Sequence, residues 1–515
     1  MSKQLLKSGV IVSAMTLVSR ILGLVRDIIM ANLLGATWAS DVFIVAQKIP
    51  NFLRRLFAEG AFSQAFVPVL SEYQTHRTSN EVKRLIAETS GTLGLILLLV
   101  AIVGVIGSPV LVSMFGPGFT GEDKVKEFEL ASLLLKITFP YILFISLTAF
   151  SGSVLNSVGR FAAPAFTPVF LNLSMISAAI IVSPALPEDT AKAFAWGIFI
   201  AGIIQLAFQL PFLWKEGLLL RPTWGWKSSG VQRILTLMGP AIFGVSVAQI
   251  NLLLDTVFAS FLEAEGSISW LYYSDRMMEF PLGVFAIAIA TVILPSLSRQ
   301  HAKNEMKDFN KTLNWGLRLV FLIGVPAAIG LFVMAEPILL TVFQNGAFDL
   351  SAAHSASLSL KAYIIGLVGF MLVKVLAPAF FSRQDTKTPV RIGIIAMSVN
   401  MLFNLILFFP LAHIGLALAT TISALLNATL LFIALLKEKV FIPDNAWKSW
   451  FAKLVVGNIA LFSFLHFQMA EVIQWQQWST FERVESLVIL IIGSVFVYAA
   501  TMFVVGVRSK HLRHE

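Results

Sequence analysis

Apolar residues run along this chain in uninterrupted stretches of roughly 20 positions, the length a helix needs to cross about 30 Å of hydrocarbon, and short polar intervals separate them. Fourteen such stretches are readable: 9–36, 39–70 with a break at Pro50, 88–115, 129–157, 163–183, 191–213, 233–262, 268–297, 314–343, 358–382, 389–410, 413–436, 450–470 and 484–507. They lack the alternation of a membrane barrel strand, and several hold Gly and Pro inside them. The pattern therefore predicts an all-α integral membrane protein of 14 transmembrane helices. The first stretch follows Lys3 and Lys7 as a secretory leader would. No small-residue cleavage site follows it, however, and the apolar pattern continues through Arg20, so it reads as a retained first span.

Composition narrows the chemistry. The chain is 57% hydrophobic and 13% charged, with no cysteine, which removes disulfides, thiolate metal sites and a Cys nucleophile. Of 7 His only His466 lies well within a span, and no interval between spans is long enough for a soluble nucleotide-binding domain. With the N-terminus on the cytoplasmic side, 24 Lys and Arg fall in cytoplasmic segments and 5 (Lys124, Lys126, Lys192, Lys361 and Arg483) on the other side. That bias predicts cytoplasmic termini at both ends. It also explains the net charge of +9 without any nucleic-acid partner.

A weak internal repeat is present. The second span ends AFVPVLSEYQ and the eighth TVILPSLSRQ, placing Pro68 and Pro295 227 residues apart; NSVGRFAAPAF before the fifth resembles RQDTKTPVRIG before the eleventh, with Pro164 and Pro389 225 apart. The shared offset predicts two six-helix lobes, 1–215 and 216–440, related by a pseudo-twofold axis along the membrane normal, with 441–515 holding two further helices.

Nine basic residues remain in or near spans: Arg20, Arg26, Lys48, Arg54, Arg55, Lys136, Arg276, Arg318 and Lys374. A charge facing lipid at mid-bilayer costs about 2.5–3.5 kcal/mol on insertion scales, so such residues face a cavity or a partner. Arg20 and Asp27 are seven apart and share a helix face, as do Ser19 and Arg26; Arg55 and Glu59 are an i,i+4 pair, as are Asp275 and Glu279. Ion pairing between helices, or snorkelling, accounts for any one of them. As a set, Arg20, Arg26, Arg54, Arg55 and Arg276 against Asp27, Asp41, Glu59, Asp275 and Glu279 predict a polar, positively biased cavity formed by the first, second and eighth spans. Arginine is suited to gripping phosphate through paired hydrogen bonds.

The stretches SRILGLVRD, SDVFIVAQKIPNFLRRLFAEGAFSQAFVPVLSEY, GPAIFGVSVAQINLLLDTVFASFL, SWLYYSDRMMEFPLGV and KVLAPAFFSRQDTKTPV strongly resemble the MurJ (MviN) family of lipid II flippases in bacterial peptidoglycan synthesis. The resemblance covers the first twelve spans. It implies the fold of the multidrug/oligosaccharidyl-lipid/polysaccharide exporter superfamily, a place in the cytoplasmic membrane, and lipid II as substrate. That substrate is an undecaprenyl pyrophosphate bearing a disaccharide-pentapeptide. The last two spans would be a groove for the polyprenyl tail. Carried over, the family's cavity residues fall on Ser19, Arg20, Arg26, Asp27, Asp41, Arg54, Glu59 and Arg276. Arg26 and Arg276 would hold pyrophosphate, Asp27 would orient the arginines in the empty site, and Arg54 and Glu59 would line the mouth beyond the Pro50 break. Some members bind sodium between the seventh, eleventh and twelfth spans, which implies Asp255 with Asn400, Asn404 and Thr420 here. Interhelical hydrogen bonding is the preferred explanation of the asparagines, and Asp255 is also placed to exchange a proton. Membrane potential acting on a positive empty cavity is a further driving force. The resemblance also implies contact with the peptidoglycan synthesis machinery.

Two rival functions fit the composition. Another exporter of the superfamily, for drugs or O-antigen units, would favour an aromatic or acidic cavity over this arginine set. A membrane enzyme acting on polyprenyl phosphates would need an acidic metal cluster or a His at the membrane surface, and the short loops offer neither.

Overall fold

The computed structural model describes residues 3–184 and 189–508, and among them the backbone is helical with no strand. The chain divides into two compact units, residues 1–266 and 267–515.

The first unit holds α1 (Lys3–Leu34) and α2 (Trp38–Leu53), a π-helical segment Arg54–Phe62, then α3 (Ser63–His76), α4 (Ser79–Ile106) and α5 (Ser108–Phe115). It continues with α6 (Val125–Thr138), α7 (Tyr141–Ser157), α8 (Ala162–Phe166), α9 (Pro168–Val182), α10 (Thr190–Lys215) and α11 (Ser229–Ser260). Pro50 lies inside α2 without ending the helical run, and the wider π turns follow it directly. The expected break at Pro50 is thus a change of helical pitch. Its aromatic lining, Phe62 and Phe66 stacked at 5.1 Å and both against Phe150, forms part of this unit's core. Helix α11 packs on the π segment and α3, so by contacts it joins the first unit.

The second unit begins with α12 (Ser267–Pro281), a second π segment Leu282–Ala286 and α13 (Ile287–Ala302). Next come α14 (Met306–Val333), α15 (Ala335–Val342), α16 (Leu350–Ile365), α17 (Leu367–Phe381) and α18 (Lys387–Lys437). α19 (Ala446–Gln468), α20 (Val472–Gln477) and α21 (Thr480–Val504) complete it. At 51 residues α18 would span about 75 Å if straight. It folds back at Ala412 (φ 48°, ψ −128°), and its limbs are tied by Ser423 Oγ donating to the Ala396 carbonyl at 2.7 Å. The limbs coincide with the expected eleventh and twelfth spans.

The breaks in the helices repeat. α1 and α11 end 226 apart; π segments follow the second helix of each series; Gly107 between α4 and α5 lies 227 residues before Met334 between α14 and α15. Phe139 at the end of α6 and Gly366 at the end of α16 are again 227 apart. This spacing lies close to the 225 and 227 offsets of the proline matches.

Eight helices among the described residues are individually long and apolar enough to cross a membrane, nine if α16 and α17, bent by 41°, make one span. α1, the α2–α3 run, α11 and the α12–α13 run complete the long helical runs. They carry Arg20, Arg26, Asp27, Asp41, Lys48, Arg54, Arg55, Asp255, Asp275 and Arg276, so chain polarity within the spans is concentrated in four helical runs.

Candidate functional site

In the first unit the charged side chains divide into a buried group and an exposed one. Arg26 and Asp27 are 4% and 1% exposed. Neighbours on a helix point about 100° apart, so the guanidinium folds back along α1. Its Nη2 and Nε donate to Asp27 Oδ1 at 2.6 and 3.0 Å, and Nη1 donates to Asn172 Oδ1 on α9 at 3.1 Å. The Asn172 Nδ2 donates to the Ser19 carbonyl at 3.0 Å. A Cβ at Gly23 would meet the Asn172 amide at 3.8 Å, so Ser19, Gly23 and Arg26 form the face of α1 that receives Asn172. Sequence spacing linked Ser19 to Arg26 but missed Asn172, because one Asn in an apolar run carries no signal of its partner. Arg20, by contrast, is exposed.

Asp41 is buried, and its Oδ2 accepts the Gly266 backbone N–H at 2.9 Å. Gly266 has φ +87°, and any side chain there would strike the Ala36 carbonyl, so Asp41 fastens the end of the α11 loop beside the start of α2. Lys48 Nζ donates to Thr256 Oγ1 at 2.9 Å, joining α2 to α11. Arg54 is half-buried with Nε 3.4 Å from Asn51 Oδ1, and Arg55 is exposed. The Glu59 side chain lies outside the described residues.

In the second unit Arg276 pairs with Glu279 at 3.2 Å, and its guanidinium lies 5.5 Å from the centre of the Tyr272 ring. Both ends of the ion pair are open, with side-chain exposures of 36% and 48%. Asp275 is half-buried on the same helix. The i,i+4 relation expected of Asp275 and Glu279 joins two acids; the i,i+3 pair of Arg276 and Glu279 is the one that forms.

Asn400 and Asn404 are buried in α18. Asn404 Nδ2 donates to Asn400 Oδ1 at 3.0 Å, Asn400 Nδ2 donates to Thr420 Oγ1 at 3.3 Å, and Thr420 Oγ1 donates to the Leu416 carbonyl at 3.0 Å. This ladder joins the two limbs of α18. Asp255, half-buried, belongs to α11 in the other unit.

The second unit also carries an apolar groove of about 660 Å³ bounded by α12, the π segment after it, α14, α15, α19 and α21, with Phe280, Pro326, Ala327, Val495 and Ala499 among its walls and Arg508 at its rim. α19 and α21 are fixed to α14: Tyr498 donates to the Leu322 carbonyl at 2.9 Å, Trp447 Nε1 donates to Asn314 Oδ1 at 2.7 Å, and Arg318 pairs with Asp444. Buried Arg483 donates to the carbonyls of Trp475, Gln476 and Leu340, which ties α21 to α20 and α15.

The family profile for lipid II flippase MurJ matches residues 30–489. A Vibrio cholerae serotype O1 protein named probable lipid II flippase MurJ is 52% identical over 517 residues, covering 99% of this chain and 98% of its own length. The like-named protein of Haemophilus influenzae is 52% identical over 510 residues, 97% and 99% of the two chains. Among solved structures, a lipid II flippase MurJ in an inward closed conformation matches with a TM-score of 0.80 at 28% identity, over 96% of this chain and 98% of that one. An inward-facing multidrug resistance MATE family transporter of the MOP superfamily, 12% identical, shares the fold with a TM-score of 0.68 over 84% of this chain and 98% of its own.

Proposed function

Because the chain belongs to the lipid II flippase MurJ family, we propose that it moves lipid II from the inner to the outer leaflet of the bacterial cytoplasmic membrane by alternating access. It is a transporter and not an enzyme. The observation that carries the reading is that Arg26 and Arg276, in different units, each rest against a carboxylate of their own helix, Asp27 and Glu279. A lone buried charge is costly, so Asp27 offsets the burial of Arg26, and each resident carboxylate holds its guanidinium in place until another anion replaces it. A pyrophosphate offers more acceptor oxygens than a carboxylate, so the exchange favours the bound head group. The polyprenyl tail would stay in lipid, part of it lying in the apolar groove beside α19 and α21.

The finer architecture belongs to the same proposal. Fourteen spans in two six-helix lobes, 1–215 and 216–440, with 441–515 forming the tail groove, accord with the repeated helix breaks. The 24-to-5 asymmetry of Lys and Arg supports cytoplasmic termini. Ser19, Arg20, Asp41, Arg54, Arg55, Glu59 and Asp275 are assigned to the same cavity, where Asp41 acts by fastening the α11 loop.

For the driving force we propose sodium or a proton at Asp255, with neutral oxygens from Asn400, Asn404 and Thr420, together with membrane potential. The oxygens are of the hard type an alkali cation takes, although their mutual hydrogen bonds serve helix packing as well.

Purified protein in liposomes loaded with lipid II tests the function. The account expects lipid II to become accessible across the bilayer, with transport at least about tenfold slower in Arg276→Ala. Equal transport by empty liposomes, or an unaltered rate in that variant, contradicts it. Replacing sodium with choline slows transport if sodium is the coupling ion and leaves it unchanged if it is not.

A further inference from the structure

Between α10 and α11 the chain reads LLLRPTWGWKSSG, and this loop is held rather than loose. Thr223 N–H donates to the Ala87 carbonyl and Gly225 N–H to Thr92 Oγ1, both at 3.0 Å, and the Gln232 amide donates to the Trp226 carbonyl at 2.6 Å. Two glycines permit the contact: a side chain at Gly91 would lie 2.2 Å from the Thr223 carbonyl oxygen, and one at Gly225 would lie 2.4 Å from Glu88 Cβ. Held in this way, the loop presents two indoles outward. Trp224 and Trp226 stack with centroids 5.8 Å apart and planes within 7°, yet remain 58% and 41% exposed. Arg221 and Lys227 flank them in sequence, both exposed, and Trp214 and Leu219 earlier in the chain are exposed as well.

The depth of the loop follows from what holds it. Its anchors on α4, Ala87 to Thr92, stand where the charged start of that helix (Lys83, Arg84, Glu88) gives way to the run GTLGLILLLVAIV. Such a charged-to-apolar transition is expected at the level of the lipid headgroups. Indoles favour this layer, where an apolar ring and an N–H donor are both satisfied, and basic residues there attract anionic lipid. Among the described residues, Arg84 pairs with Glu88, Arg160 with Glu216 at the end of α10 and Arg233 with Glu72. Arg221 and Lys227 add positive charge beyond those pairs.

We propose that Trp224 and Trp226, with Arg221 and Lys227, form a preorganised binding site for an anionic phospholipid headgroup in the leaflet on this side of the membrane. The indoles lie along the upper acyl chains, and the two cations take the phosphate. The site depends on the membrane placement of the chain and is separate from the lipid II pathway. It would fix the depth of the connection between α10 and α11.

Quenching of tryptophan fluorescence tests it in the full chain reconstituted in nanodiscs. The pair's contribution is the emission lost in Trp224→Phe/Trp226→Phe. Phosphatidylglycerol brominated near the carbonyl is compared with phosphatidylcholine brominated at the same position and mole fraction. The site predicts that phosphatidylglycerol quenches this contribution at least about threefold more effectively at low salt. It also predicts that Arg221→Gln/Lys227→Gln brings the ratio to one while the α4 contacts keep the indoles quenchable. Equal quenching by both lipids in the wild type overturns the anionic site. Absence of quenching by either puts the indoles in water, as a protein-docking surface would, and overturns the proposal outright. A ratio that persists in the charge variant overturns the assignment to Arg221 and Lys227.

Discussion

Arg26 shows how much of a site one unnoticed side chain can decide. Its guanidinium is held by Asp27, which shares its helix, and by Asn172, which does not, so part of what sets its free energy in the empty state comes from α9. If Arg26 leaves Asn172 to bind pyrophosphate, the two obvious substitutions act in opposite directions. Asn172→Ala removes a competing hydrogen bond to a charged group, worth about 1.5–3 kcal/mol, and is expected to tighten lipid II binding severalfold. Asn172→Asp adds a second carboxylate and is expected to weaken it by at least about tenfold. Binding to detergent-purified protein measures both; a shift of both variants in one direction would make Asn172 merely structural. Removing Asp27 leaves the buried cation short of its ion-pair partner, and Asp27→Ala is expected to cost about 3–5 kcal/mol of stability, read as a loss of folded protein on heating. The arginines were legible in the sequence because charge in an apolar run is costly. Asn172 was not, since an amide costs little and its partner is 146 residues away.

Elements carry the repeat more plainly than residues do. In sequence it rested on two proline matches; in the helices it appears as breaks at Gly107 and Met334, and at Phe139 and Gly366, with a common offset of 227. The apolar runs announced the helices, but not the π turns that follow α2 and α12. Those depend on how Phe62, Phe66 and their neighbours pack, which hydropathy does not record. The groove is likewise a property of elements: α19 and α21 stand off α14, fastened by Tyr498 and Trp447, and leave the space open. Filling it with Ala327→Trp or Ala499→Trp is expected to reduce binding of lipid II several-fold while a short-tailed analogue binds as before, a contrast that native mass spectrometry of purified protein resolves. Equal loss for both ligands would remove the groove from the tail's path.

At the scale of the whole molecule, most charges inside the apolar runs fall on α1, the α2–α3 run, α11 and the α12–α13 run, as the proposed transport of a charged head group requires. Orientation is directly testable because the chain has no cysteine. A single cysteine at Arg77 should react with an impermeant thiol reagent only from the cytoplasmic side, and one at Lys124 only from outside; the reverse pattern would invert the topology. The measurement that bears most directly on the central claim is lipid II export in cells depleted of this protein and supplied with variants, read as lipid II accessible to an externally added cleaving enzyme. The account predicts loss on depletion, rescue by the wild-type chain, and no rescue by Arg26→Ala or Arg276→Ala proteins that reach the membrane in normal amounts. Undiminished accessibility after depletion would contradict lipid II as the substrate, and full rescue by both variants would contradict the arginine site.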